Sequence, residues 1–175
     1  MPSICIVYAT VDGQTRRICE SLKDVIESHG HQVDLVAIER AQSLELASYD
    51  KVVVGSSIRY GKHHPLVAGF VDRHVDVLDS KPNAFFSVNI VARKPDKNRA
   101  ETNPYVRKFL GQIRWRPKVV DVFAGRLDYP RYGRFDRMMI RLIMLVTHGP
   151  TDPTTVTEFT DWTRVGAFGE RVAAM

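Results

Sequence analysis

The chain has 175 residues, long enough to bury one sizeable core. Hydrophobic residues make up 44% and charged residues 26%, which excludes a disordered chain, and no apolar run approaches the roughly 20 residues of a membrane-crossing helix. The net charge of +5 points to acidic partners such as phosphates, anionic headgroups or carboxylates, and two cysteines exclude a disulfide framework.

Ser3 to Tyr8 is a short β-branched run that breaks at ATVDGQT. From Thr15 the spacing changes, with Ile18, Leu22, Val25 and Ile26 on one helical face and Gly30 as a stop. QVDLVAI reads as a strand, and Asp50 to Ser57 as a second, buried one. Pro65 opens a helix predicted to run to about Leu78. AFFSVNIVA is the next strand, Tyr105, Phe109, Leu110 and Ile113 mark a helix behind Pro104, and KVVDVFAG is a further strand. Trp162, Val165, Phe168 and Val172 mark a closing helix. Strands apolar throughout, alternating with amphipathic helices, imply a parallel sheet covered on both faces. Residues 1–175 read as a single doubly wound α/β domain, without repeat or linker.

Ligands of such sheets bind beyond the carboxyl ends of the strands. The first such loop is Thr10, Val11, Asp12, Gly13, Gln14 and Thr15, between a strand and a helix start. Short hydroxyls, a glycine and free helix-start amides suit a phosphate dianion. A plain capped helix fits the same residues. It is neither a Walker loop nor a GxGxxG turn. Ser57, Ile58, Arg59, Tyr60 and Gly61 follow the third strand. Ser87, Val88, Asn89, Val91 and Ala92 follow the fourth. Small residues there let a planar ligand approach the backbone, and Tyr60 offers a stacking face. One phosphate loop with two flat-ligand loops resembles the flavin mononucleotide (FMN) site of the flavodoxin fold.

The likeness extends further. TxDGQT, GxSIRYGxxH, SVNxVARKP, TNxYxRKFL, WRP, YPRYxxxDRxMIxLIM and TDW, in that order, resemble the flavodoxin-type protoporphyrinogen oxidases of bacteria. The resemblance covers Ile4 to about Trp162. It implies a five-stranded parallel sheet of order 2-1-3-4-5, with an insert at about 128–152. It also implies FMN as cofactor, protoporphyrinogen IX as substrate in haem synthesis, and a membrane quinone as acceptor. The first loop would hold the FMN phosphate and the other two would border the ring. Asp12 stands where ordinary flavodoxins often carry a small hydroxyl residue, so it is expected to turn away from the phosphate or cap an amide.

Arg59, Arg93 and Lys94 flank these loops, and positive charge near a flavin favours its reduced anion. Arg59 is expected to act electrostatically; no acid or base residue is assigned. His63 and His64 read as a helix-start pair facing water, with a proton relay or a carboxylate contact as the alternative. Cys5 and Cys19 read as small core residues, Trp115 and Trp162 as packing anchors, and no metal-ligand spacing occurs.

In RFDRMMIRLIMLV (Arg134 to Val146), a helical projection gathers Arg131, Arg134, Arg137 and Arg141 on a narrow basic stripe. Phe135, Met139, Leu142, Ile143 and Val146 fall opposite. This pattern suits a helix at an anionic membrane surface or over a hydrophobic substrate, though a helix packed on the sheet shares it. The expected setting is cytoplasmic, peripheral on the inner face of the cell membrane. Replacing Arg134, Arg137 and Arg141 by Glu is expected to release the protein from vesicles. Deleting Tyr129 to Thr147 is expected to spare FMN, whose loops lie elsewhere. A nicotinamide-dependent quinone reductase, an electron-transfer flavodoxin-like protein and a non-catalytic membrane-docking module are the rival readings. Nucleic-acid binding is not expected, for want of any such motif. Homo-oligomerisation stays open.

Overall fold

The computed structural model describes all 175 residues. Its elements are β1 (Ser3–Ala9), α1 (Gln14–Ser28), β2 (Gln32–Ala37), β3 (Lys51–Arg59) and β4 (Lys62–His63). Next come α2 (Pro65–Arg73), α3 (Val75–Asp79), β5 (Asn83–Val88), α4 (Pro104–Gln112) and β6 (Val119–Phe123). Last come β7 (Arg126–Asp128), α5 (Arg134–Val146), β8 (Val156–Glu158) and α6 (Trp162–Ala174).

The main sheet runs β2-β1-β3-β5-β6, all parallel, with β4 folded back antiparallel on β3. Counting the parallel strands alone, this is the expected order 2-1-3-4-5. Strand alternation divides the apolar run of β1 between two cores. Cys5, Val7 and Ala9 face Phe70, Phe109 and Trp115 from the α2–α4 side. Ile4, Ile6 and Tyr8 face Ile18, Leu22, Phe168 and Val172 from α1 and α6. The two cysteines are buried as expected, and burial pushes the Cys5 thiol up to about 12.

Two elements differ from the sequence reading. The helix predicted to run from Pro65 to Leu78 breaks at His74, whose ring packs on Phe70 at 4.7 Å, so α2 and α3 are separate. A two-stranded sheet, β7 with β8, frames the insert on both sides. Its three-residue strands are too short to leave a period-two pattern. Through it the segment carrying α5 leaves and rejoins the body beside the carboxyl ends of β5 and β6.

Candidate functional site

The carboxyl ends of β1, β3 and β5 come together with α5 around one cleft. The first wall is the β1–α1 loop. Gly13 takes φ +89 and starts α1 with no side-chain cap, so the first-turn amides are free for an anion. Thr10 Oγ1 accepts from the Gly13 amide at 3.0 Å and fixes the turn. Thr15 Oγ1 is buried in the cleft wall without a hydrogen-bond partner. Gln14 donates from Nε2 to Glu158 at 2.7 Å and Thr160 at 2.9 Å, bracing the loop against the β8 segment.

The second wall is the β3–β4 hairpin. Tyr60 and Gly61 have φ +51 and +74, the signature of a two-residue turn that suits the twist of an antiparallel pair. Arg59 Nη2 donates to both carboxylate oxygens of Asp12, at 2.9 and 2.8 Å. Asp12 therefore turns from the helix start to pair with the hairpin. Ser57 Oγ is buried without a partner.

The third wall is the loop after β5. Asn89 and Asn103 exchange side-chain hydrogen bonds of 3.3 and 3.1 Å, and Asn89 also donates to Ser87 Oγ at 3.2 Å. Asn89, Val88 and Val91 line the cleft, while Ser87 and Ala92 lie behind it. Gly13 shapes the first wall without lining it.

The structure adds residues that the sequence reading missed. Gly125 to Leu127 follow β6 and stand in the cleft wall, as does Tyr105 at the start of α4. The rule that located the other loops, a search after every strand, would have found Gly125 to Leu127. Of the two settings expected for the insert helix, a cover over an apolar site matches the geometry, since Tyr132, Ile140, Ile143 and Met144 close the cleft from above. The helix thus turns one apolar side inward and leaves Phe135, Met138, Leu142, Leu145 and Val146 exposed on the other. This corrects the projected faces, since Ile143 turns inward. It also corrects the expectation that the insert and the cofactor loops are separate, because the insert lines the same cleft.

The arginines are divided too. Arg137 donates from Nε to the Tyr129 carbonyl at 3.2 Å, and Arg141 from Nε to the Thr151 carbonyl at 2.8 Å. They tie down the insert backbone, Arg141 from an exposed position, whereas the exposed Arg131 and Arg134 make no such bond. Arg93 donates from Nη2 to Thr147 O and Oγ1, at 3.1 and 3.0 Å, and so anchors the end of α5. Lys94 is half-buried on the same connection. At the other end of α5, Asp136 accepts a hydrogen bond from Tyr60 Oη and lies 3.8 Å from Arg59. The cleft beneath is open to solvent on one side and has a volume of about 120 Å³.

His63 is not water-facing. Its Nε2 meets Ser87 Oγ at 2.8 Å, its ring packs against Phe109 at 4.7 Å, and desolvation pushes its pKa down to about 3. His64 caps α2 through Nδ1, accepting from the Leu66 amide.

A model of the flavodoxin domain matches residues 5–154. The chain belongs to the flavodoxin domain family. It is 45% identical over 168 residues to an Escherichia coli K12 protein named protoporphyrinogen IX dehydrogenase (quinone), covering 96% of this chain and 93% of that one. A Leishmania major protein of the same name is 45% identical over 175 residues, 99% of this chain and 76% of its own. Among solved structures, a short-chain flavodoxin associated with a non-canonical PDU bacterial microcompartment superposes with a TM-score of 0.59 at 14% identity, covering 99% and 98% of the two chains. Oxidised flavodoxin 1 from Bacillus cereus gives 0.53 at 15%, covering 98% and 97%. These two share the fold.

Family membership indicates a flavin cofactor. The residues fit one: an uncapped helix start and the buried, unpartnered hydroxyls of Thr15 and Ser57 supply donors. The apolar lid of Ile140, Ile143 and Met144 supplies a wall for a ring.

Proposed function

We propose that this chain is an FMN-dependent protoporphyrinogen IX dehydrogenase that delivers electrons to a membrane quinone. The observation that carries this reading is 45% identity to the Escherichia coli dehydrogenase across 96% of the chain. FMN is favoured over a dinucleotide because the cleft offers a phosphate one free helix start.

When bound, the flavin supplies the hydride acceptor for the tetrapyrrole and the electron donor for the quinone. The side chains do the rest. The α1 start and Thr15 hold the phosphate. Arg59 sets the local field, tempered by Asp12. The lid formed by Ile140, Ile143 and Met144 keeps water from the ring, and Tyr60 and Asp136 latch it.

The outer face of α5 supports the membrane partner. Five large apolar side chains are each more than half exposed there, from Leu142 at 54% to Val146 at 72%, and Arg134 flanks them. No helix is long and apolar enough to cross a membrane. A surface helix of this composition lies in the interface, with its basic flank on anionic headgroups. Its inner face would then stand between the cofactor and a lipid-dissolved quinone.

Anaerobic mixing of the FMN-loaded protein with protoporphyrinogen IX tests the reading. Bleaching of the flavin by the porphyrinogen, without comparable bleaching by NADH or NADPH, is expected. Bleaching by a nicotinamide alone would make the protein a quinone reductase instead.

A further inference from the structure

A second cleft, of about 900 Å³, opens between the β3–β4 hairpin, α2 and α4. It shares Ser57, Arg59, Tyr60 and Gly61 with the cofactor cleft, so the two spaces meet at the hairpin. Ser57 Oγ, buried and unpartnered, sits at that junction.

The charge of this cleft is one-sided. Lys62 from β4 and Lys108 from α4 line it, and no carboxylate does. Neither ammonium takes part in an ion pair. The other basic residues are already spoken for. Arg59 is matched by Asp12, His64 lies 3.9 Å from Glu39, and burial keeps His63 neutral. Two uncompensated cations remain, in a cleft that the edge of the buried Phe109 also lines.

We propose that this second cleft is the carboxylate subsite for the tetrapyrrole, Lys62 and Lys108 receiving its two propionates while its ring edge reaches the cofactor across the hairpin. This assignment rests on the dehydrogenase reading. The macrocycle of a porphyrinogen is uncharged, and its propionates are its only strongly recognisable groups. A pair of free cations beside an aromatic edge, at the mouth of the cofactor cleft, matches that arrangement. Exposed ammonium groups add little affinity singly, so they orient the substrate and discriminate between carboxylate and neutral ester.

The test uses the FMN-loaded protein and protoporphyrin IX, whose binding is followed by fluorescence, against its dimethyl ester. The diacid should bind about tenfold tighter than the ester, and the double variant Lys62→Gln/Lys108→Gln should lose that preference by weakening the diacid alone. Lys62→Arg/Lys108→Arg should retain it. If the glutamine variant still prefers the diacid, the subsite is wrong. Lysine-dependent binding of NADPH that excludes the porphyrin would instead make this a nucleotide cleft. Lysine-dependent diacid binding in a protein whose flavin the porphyrinogen fails to bleach would leave the subsite standing and sink the dehydrogenase reading.

Discussion

Arg59 Nη2 is shared between the two carboxylate oxygens of Asp12, at 2.9 and 2.8 Å, an ion pair that joins the β1–α1 loop to the β3–β4 hairpin across the cleft. The pair accounts for an acidic residue beside the uncapped start of α1. Its charge is spent on Arg59, so the field at the ring is that of a partly neutralised guanidinium. Asp12→Asn should raise the midpoint potential of the bound flavin, and Arg59→Gln should lower it. Each shift should be on the order of 1 kcal/mol, about 20 mV for a two-electron couple. Spectroelectrochemical titration reads both, and shifts of one sign in the two variants would remove the field from the account.

The Asp136 contacts hold α5 down on the hairpin. Asp136→Ala should speed both association and release of FMN, each by about tenfold if the latch is worth ~1.4 kcal/mol. Stopped-flow fluorescence measures the two rates. An unchanged association rate would mean that α5 does not gate the cleft.

Thr15 presents a buried hydroxyl with no partner of its own. Thr15→Val should stabilise the flavin-free protein by about 1 kcal/mol, because an unsatisfied group is removed, while weakening FMN by about tenfold. Urea unfolding and flavin titration give the two opposed signs. If stability and affinity both fall, Thr15 is a packing residue.

His63 is held neutral among Phe85, Phe109 and Ser87, its pKa driven from 6.5 to about 3 by desolvation. Below pH 6.5 the unfolded chain takes up a proton that the native imidazole refuses. Stability is therefore whole above pH 6.5 and falls toward pH 3, by up to about 1.4 kcal/mol per pH unit. His63→Phe should flatten that part of the stability–pH curve, as measured by denaturant unfolding at several pH values.

The sheet and its order were legible because the strands are apolar along their whole length and the helices between them carry a single oily face. The three loops that wall the cleft could be located from glycine, hydroxyl and position after a strand. The inward face of the lid could not. A helix apolar on two sides gives no periodic cue to which side faces in, so Ile140, Ile143 and Met144 could not be told from Phe135 and Leu142. Nor could composition separate Arg137 and Arg141, which bond backbone carbonyls, from Arg134, which makes no such bond. Residues that meet only in space, Asp136 with Tyr60 or Arg93 with Thr147, leave no local trace.

This division also changes how the membrane proposal is tested. Reversing Arg137 or Arg141 would unpin the insert, so the clean substitutions are Leu142→Glu and Leu145→Glu on the exposed face. The most direct measurement is anaerobic oxidation of protoporphyrinogen IX by a quinone dissolved in anionic vesicles, followed through porphyrin fluorescence. Wild-type protein should turn over at a rate that falls as salt rises. The Leu142→Glu/Leu145→Glu protein should keep its FMN and still be reduced by porphyrinogen, yet lose at least about tenfold in vesicle turnover. Equal turnover by the two proteins, or no turnover by wild type, would contradict the account.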